Sequence, residues 1–202
     1  MHTSSKHLPA RERREITVEA VVELAGRQNP SEITTYAIAA HMGLSQGALF
    51  RHFPTKEAIW QAVMEWVSDQ LLAQVDAIIG STPNPLEALE AMFMKHVEFA
   101  VNHPGVPRIL FGELQKADTT PAKQATRLML RRYSERIGTC LEKAKAQGLI
   151  APATDTAAAI TLYIGTIQGL IMQSMLSGEL TLIHDSAPGV FAIYLRGLRG
   201  RP

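Results

Sequence analysis

The sequence predicts an all-α protein of about nine helices, and three observations predict it. Apolar residues recur at three- and four-residue spacing in one segment after another. No run alternates apolar and polar residues between hairpin turns, and neither repeats nor low-complexity tracts occur. The breaks fall at Pro, Gly, Asn and hydroxyl-bearing residues, which stop and cap helices.

Met1 to Pro9 reads as a tail, and Lys6, His7, Arg11, Arg13 and Arg14 make the approach to the first helix basic. Such an arm can lie on phosphates or in a minor groove; with Glu12 and Glu15 between its cations it can equally be a solubilising helix start. The first helix spans Ala10 to Gln28, with Val18, Val21, Val22 and Ala25 as its core stripe. Asn29 tolerates a left-handed turn and Pro30 forbids continuation.

Thr34 to Glu57 then reads as short helix, tight turn, second short helix and a capped third start, which is a helix-turn-helix. Thr34 or Thr35 can cap the first piece, and Ile38, Ala39 and Met42 give it an apolar side. Gly43 supplies the left-handed residue that ends it. Ser45 caps the second piece, Gln46 to Phe53, whose Leu49 and Phe53 point inward. Gln46, Gly47, Phe50 and Arg51 remain on the opposite side, with His52 at its edge. No Asp or Glu lies between Ile33 and Lys56, so nothing there repels a phosphate.

The fourth helix runs from Lys56 to about Gly80, capped by Thr55 with Glu57 in its first turn. Its length suits a connector between two bodies. Lys56 stands where a phosphate would meet its ammonium and the free amides of a helix start. Ser81 to Pro85 is a break. The fifth helix, Leu86 to His103, carries Leu89, Phe93, His96, Val97 and Ala100 on one side. After His103 to Pro107 comes a short sixth helix, Arg108 to Lys116. The seventh, Ala122 to Gln147, places Leu128, Met129, Tyr133, Ile137 and Leu141 at helical spacing, and Gly148 stops it. The eighth, Thr154 to Leu176, is capped by Thr154 or Asp155. A loop through His184 and Asp185 leads to the ninth, Ala187 to Leu198.

Composition narrows the classes further. A chain of 202 residues can bury one substantial core or two modest ones. A net charge of +1 means that affinity for nucleic acid must come from a local patch. The single cysteine, Cys140, excludes an internal disulfide and suits a reducing cytoplasm. No signal peptide is expected, and Ala157 to Leu176, the longest apolar candidate, is interrupted by polar residues and glycines and reads as a buried helix of a soluble protein. No phosphate loop, nucleophile elbow or HExxH stands in the sequence, so neither an enzyme nor a cofactor is expected. His96 and His103 share a helix face without a third ligand, so no metal site is expected.

On the recognition face, Gln46 suits the edge of adenine, Ala48 a thymine methyl, and Arg51 a guanine or a phosphate. The segment ITTYAIAAHMGLSQGALFRHFPTKEAIW, Ile33 to Trp60, resembles the TetR family of transcriptional regulators in its threonine pair, Gly-Leu-Ser turn, aromatic-x-His-Phe and Lys-Glu. The resemblance covers a quarter to a third of the chain. It implies an N-terminal helix-turn-helix domain, residues 1–56, and a C-terminal helical ligand-binding and dimerisation domain, residues 57–202. It places Thr34, Thr35, Ser45, Phe50, His52 and Lys56 at positions that contact the DNA backbone. Phe50 stands where tyrosine is commoner, Tyr36 where some members carry a base-reading arginine, and Asn29 where glycine is usual.

One such head contacts too little DNA for strong specific binding, so a homodimer on a palindromic operator is expected. The small and apolar residues of the eighth and ninth helices can make that dimer, or complete the core of one chain. In the regulatory half, Phe93, His96, Met129, Tyr133, Arg136, Tyr163, Gln168 and Met172 are the candidate lining of a site for a small, largely apolar effector. The same aromatic and Met residues can be plain core. Two other classes stand beside the cytoplasmic repressor that these features suggest: an architectural DNA-binding protein without an inducer, and a helical enzyme or carrier that no longer binds DNA.

Overall fold

A computed structural model describes residues 10–179 and 181–199, and among these the chain forms nine helices. They are α1 (Ala10–Arg27), α2 (Thr35–His41), α3 (Gln46–Phe50), α4 (Lys56–Ser81), α5 (Pro85–Asn102), α6 (Gly105–Leu114), α7 (Pro121–Ala146), α8 (Thr156–Ser177) and α9 (Leu182–Arg199). Two compact units result. One takes the chain up to Ser68 together with His103–Arg127, and the other takes Asp69–Asn102 and the chain from Leu128 onward. Both α4 and α7 run without a break from one unit into the next.

In the first unit, α1 buries Val18, Val21, Val22 and Ala25. Ile33, Ile38, Leu49, Phe53, Ile59 and Val63 complete this core. Asn29 departs from expectation, because no non-glycine residue among those described has positive φ. Its side chain makes the corner instead: Oδ1 accepts from Ser31 N at 3.1 Å and from Ser31 Oγ at 2.9 Å.

Helix α6 packs on α1 more closely than a side chain permits. A Cβ on Gly105 would lie 2.0 Å from the Val22 carbonyl oxygen, 2.9 Å from Gly26 N and 3.0 Å from Ala25 Cβ. Arg108 then donates to the Gly26 carbonyl at 2.9 Å, satisfying the end of α1. The helix starts at Gly105 and not at Arg108, because Pro107 falls in the first turn, where a missing N–H is not needed. The buried carboxylate of Glu113 is paired with Lys116 and accepts from Thr120 Oγ1 at 2.6 Å.

In the second unit, Leu89, Phe93 and Val97 of α5 meet Tyr133, Ile137 and Leu141 of α7, Tyr163 and Ile167 of α8, and Phe191 and Tyr194 of α9 in the buried core. Leu128 is 44% exposed and drops out of the expected α7 stripe, lying one residue off the Met129, Tyr133, Ile137 face. Asp155 caps α8, accepting from Ala157 N at 2.9 Å and Ala158 N at 3.1 Å. Helix α9 begins five residues earlier than expected, at Leu182, and contains Pro188. Ile183 and Ala187, both fully buried at i,i+4, hold that extra turn against the core despite the proline. Helix α8 is by length and composition apolar enough to cross a membrane. It is also less buried than expected, since 33% of its most apolar window is covered by the chain.

A bidentate pair ties α7 to α4 within this unit: Arg136 Nε donates to Asp76 Oδ1 at 2.6 Å and Nη2 to Oδ2 at 2.7 Å. The Arg136 hydrogen bonds hold the Asp76 carboxyl below the usual carboxylate range. A carboxyl lowered in the fold stabilises it above the unfolded value of about 4, and that contribution disappears as pH falls through the lower folded value. The stability difference between the native chain and Asp76→Asn should therefore narrow as pH drops below about 4. Melting curves across that range check it, and a difference independent of pH would show the pair to be energetically silent.

Candidate nucleic-acid interface and the aromatic cluster

The recognition element is built locally. Thr34 is extended (φ −92°, ψ 156°) and its Oγ1 accepts from Ala37 N at 3.0 Å, starting α2. Gly43, at φ 65°, takes the left-handed turn, and Leu44 N returns to the Ala39 carbonyl at 2.8 Å. Ser45 repeats the cap for α3, accepting from Ala48 N at 3.2 Å. Leu49 and Phe53 are buried beneath it. The second helix stops at Phe50, three residues short of expectation. Pro54 disfavours helical backbone at Phe53, so the chain closes with two turns, His52 N and Phe53 N both donating to the Leu49 carbonyl at 3.0 Å.

The outward face carries the expected residues. Tyr36 is 70% exposed and Phe50 41%; Thr34, Ser45, Gln46, Gly47 and Arg51 are exposed, while Thr35, Ala48 and His52 are half-buried. Gln46 Nε2 donates to Thr35 Oγ1 at 2.7 Å, which fixes the amide at the head of α3 and leaves its carbonyl oxygen to face outward partners. A Cβ on Gly47 would meet nothing within 4 Å, so the chain itself does not require glycine there. Arg13 reaches His52, with Nη1 3.4 Å from Nε2, and Arg14 lies 4.9 Å over the Phe53 ring while pairing with Glu65 at 3.6 Å. Lys6, His7 and the Arg11 side chain lie outside the described residues.

Lys56 is turned toward its own chain. Its Nζ donates to the carbonyls of Pro30 at 3.3 Å and Ser31 at 3.2 Å and sits 5.4 Å from the Trp60 ring centre. Burial, and then the nearby Lys116, push its pKa down. It lines a cleft of about 330 Å³ with Pro30, Trp60, Glu113 and Lys116. The ammonium thus closes the α1–α2 corner, and only its third N–H remains for a phosphate.

The structure brings together five of the eight expected effector residues. Phe93, Tyr133 and Tyr163 are fully buried and Met129 nearly so. Tyr163 is the hub: its ring centre lies 5.4 Å from that of Phe93, 6.2 Å from Tyr133 and 5.6 Å from Tyr194. His96 joins through Tyr133 at 5.4 Å. Three residues are set apart. Arg136 is occupied by Asp76, and Gln168 and Met172 are exposed on the outer side of α8, which turns Tyr163, Ile167, Leu170 and Ile171 inward at this level. Sequence spacing missed Phe191 and Tyr194, because nothing local ties α9 to α5. Cys140 is buried, and burial raises its pKa above the ordinary thiol value. Among the described residues no three His, Cys, Asp or Glu side chains are placed to hold a metal ion.

Residues 18–63 match the model of bacterial regulatory proteins of the tetR family, and residues 113–187 match the model of the tetracyclin repressor-like C-terminal domain. The chain belongs to the TetR family. This TetR-family chain is 33% identical over 103 residues to the nucleoid occlusion factor SlmA of Idiomarina loihiensis, a match that spans 51% of this chain and 53% of that relative. It is 24% identical over 160 residues to SlmA of Marinomonas sp., covering 79% and 81% of the two chains. Its fold matches the fatty acid degradation regulator FadR from Bacillus halodurans (TM-score 0.82, 17% identity, 98% of this chain and 100% of that one). FadR from Bacillus subtilis, solved in complex with stearoyl-CoA, matches with TM-score 0.80 at 18% identity over 90% and 97%. The ketosteroid regulator KstR2 of Mycobacterium tuberculosis matches with TM-score 0.75 at 23% identity over 94% and 96%.

Proposed function

We propose that this TetR-family chain is a cytoplasmic homodimeric repressor that binds a pseudo-palindromic operator and leaves it when a small, largely apolar effector binds. Residues 1–56 read DNA and residues 57–202 bind the effector and pair. The observation that carries the DNA reading is the exposed, acid-free face of Tyr36, Gln46, Gly47, Phe50 and Arg51 on a capped and buried frame. Open space beside Gly47 suits a backbone that must approach a groove wall. Pairing is supported by Leu162, Met172, Leu176 and Ile193, large apolar residues of α8 and α9 that are 41–81% exposed. Leu162 and Ile193 face a groove of about 510 Å³ with Ala158, Thr166, Val190 and Gly197. Continuous α4 starts at the recognition unit and ends in the effector unit, so the effector acts by favouring one spacing of the paired heads over the other.

Selecting bound sequences from random duplex DNA tests this directly, and an enriched palindrome is expected. Arg51→Ala and Gly47→Ala should each weaken binding to that palindrome about tenfold or more, the first by removing a charge-assisted contact and the second by holding the backbone away. Both variants should melt no lower than the native chain, since neither position is packed. Unchanged affinity in both would remove the DNA-reading role.

A second reading is favoured by the SlmA matches: an architectural DNA-binding protein whose second unit contacts another protein and takes no effector. Chromosome-wide binding at many dispersed copies of the site, insensitive to small molecules, would select it over the repressor.

A further inference from the structure

The second unit holds polar atoms that its own core does not use. His96 Nδ1 on α5 and Tyr133 Oη on α7 are buried without a hydrogen-bond partner, and their rings pack edge-on at 5.4 Å. Gln74 Oε1 on α4 is a third such atom in this unit. Leaving a donor or acceptor buried and unpaired forfeits its hydration without return, and cores ordinarily avoid it. The neighbouring tyrosines do avoid it: Tyr163 donates to the Leu89 carbonyl at 2.8 Å and Tyr194 to the Ala159 carbonyl at 3.1 Å. Tyr163 lies close enough to act on Tyr133, but its proton is committed to Leu89 and no hydrogen bond joins the two hydroxyls. His96, moreover, keeps accessible surface although its ring lies deep in the unit.

We propose that His96 and Tyr133 are the polar anchor of the effector site, and that the site takes an uncharged, largely apolar molecule bearing one hydroxyl or carbonyl group. The inference rests on the effector reading above and specifies its ligand. A ligand hydroxyl can donate to the imidazole nitrogen and accept from the tyrosine; a carbonyl can accept from the tyrosine and, in the other tautomer, from the imidazole. Buried Phe93, Met129 and Tyr163 supply the apolar surroundings. The charge pattern argues against an acid. Burial pushes His96 down to about 4 and Tyr133 up, with no charged side chain acting on either, so the pair is neutral at neutral pH. Of the cations near this pair, Arg136 is engaged by Asp76 and Lys95 by Glu98 at 2.9 Å, while Arg131 and Arg132 are exposed to solvent. A carboxylate or phosphate brought here would lose its water without gaining a counter-charge.

Calorimetric titration of the full chain, without DNA, with decan-1-ol, 2-decanone, decane and sodium decanoate at pH 7.5 and below their aggregation limits tests the proposal. The alcohol and the ketone should bind about tenfold or more tighter than either the alkane or the acid. His96→Leu and Tyr133→Phe should each remove that preference while retaining the weak binding of decane. Neither should lower the melting temperature of the ligand-free chain, because each deletes an unpaired group. Tighter binding of decanoate, no binding of any probe, or a melting temperature several degrees lower in both variants would overturn the assignment. The last result would mean that the two atoms serve the fold through a bound water. Because DNA is absent, the outcome stands apart from the repressor reading: operator release by an acid would keep the repressor and sink this anchor, and alcohol binding without release would do the reverse.

Discussion

Replacing Gly105 with alanine is expected to lower the unfolding free energy by about 3 kcal/mol or more, a fall of roughly 10 °C in melting temperature for a chain of this size. The new Cβ would stand 2.0 Å from the Val22 carbonyl oxygen and 2.9 Å from Gly26 N, and both are backbone atoms of α1 that no rotamer change can move aside. Helix α6 must then lift from α1, taking with it the Arg108 bond to the Gly26 carbonyl and the cover over Val22 and Ala25. Gly47→Ala is the matched control. Its Cβ meets nothing within 4 Å, and alanine in place of glycine adds up to about 1 kcal/mol of helix stability. Urea denaturation of the two variants should therefore move in opposite directions from the native midpoint. Equal midpoints would show that α6 adjusts on α1 without loss.

The contrast between these glycines shows what a sequence carries and what it does not. Thr34, Gly43 and Ser45 could be assigned because a cap or a left-handed turn is satisfied within four residues. Gly105 lies between Pro104 and Pro107 and reads as a loop, since the atom that demands it, the Val22 carbonyl, is more than eighty positions away in the chain. The effector residues divide in the same way. Phe93 and Tyr133 follow from helical spacing, but which atoms remain unpaired in the core depends on which carbonyls α8 and α9 bring to Tyr163 and Tyr194. Arg136 was legible as a charged group and not as the partner of Asp76, sixty residues distant. Lys56 shows the limit on the recognition side. Its place at a helix start suggests an anion, whereas the folded corner supplies two carbonyls first.

Ile193→Asp is expected to convert the proposed dimer to a monomer and to weaken binding to the selected palindrome by at least about 100-fold, because each head then binds without the effective concentration its partner supplies. Ile193 is 63% exposed on α9 and faces the same groove as Leu162, which is 58% exposed on α8. An aspartate there costs the single chain little, since the carboxylate stays in water. Across a two-fold axis the two carboxylates would be brought close together and stripped of water, which no cation among the groove residues offsets. Sedimentation should therefore report a single chain with helical content unchanged, and its melting temperature should no longer rise with protein concentration. Leu176→Asp, at a residue 81% exposed near the end of α8, separates the groove from the rest of this face. A weaker loss there than at Ile193 places the centre of pairing at the groove, whereas an Ile193→Asp chain that remains dimeric moves the interface off α8 and α9 altogether.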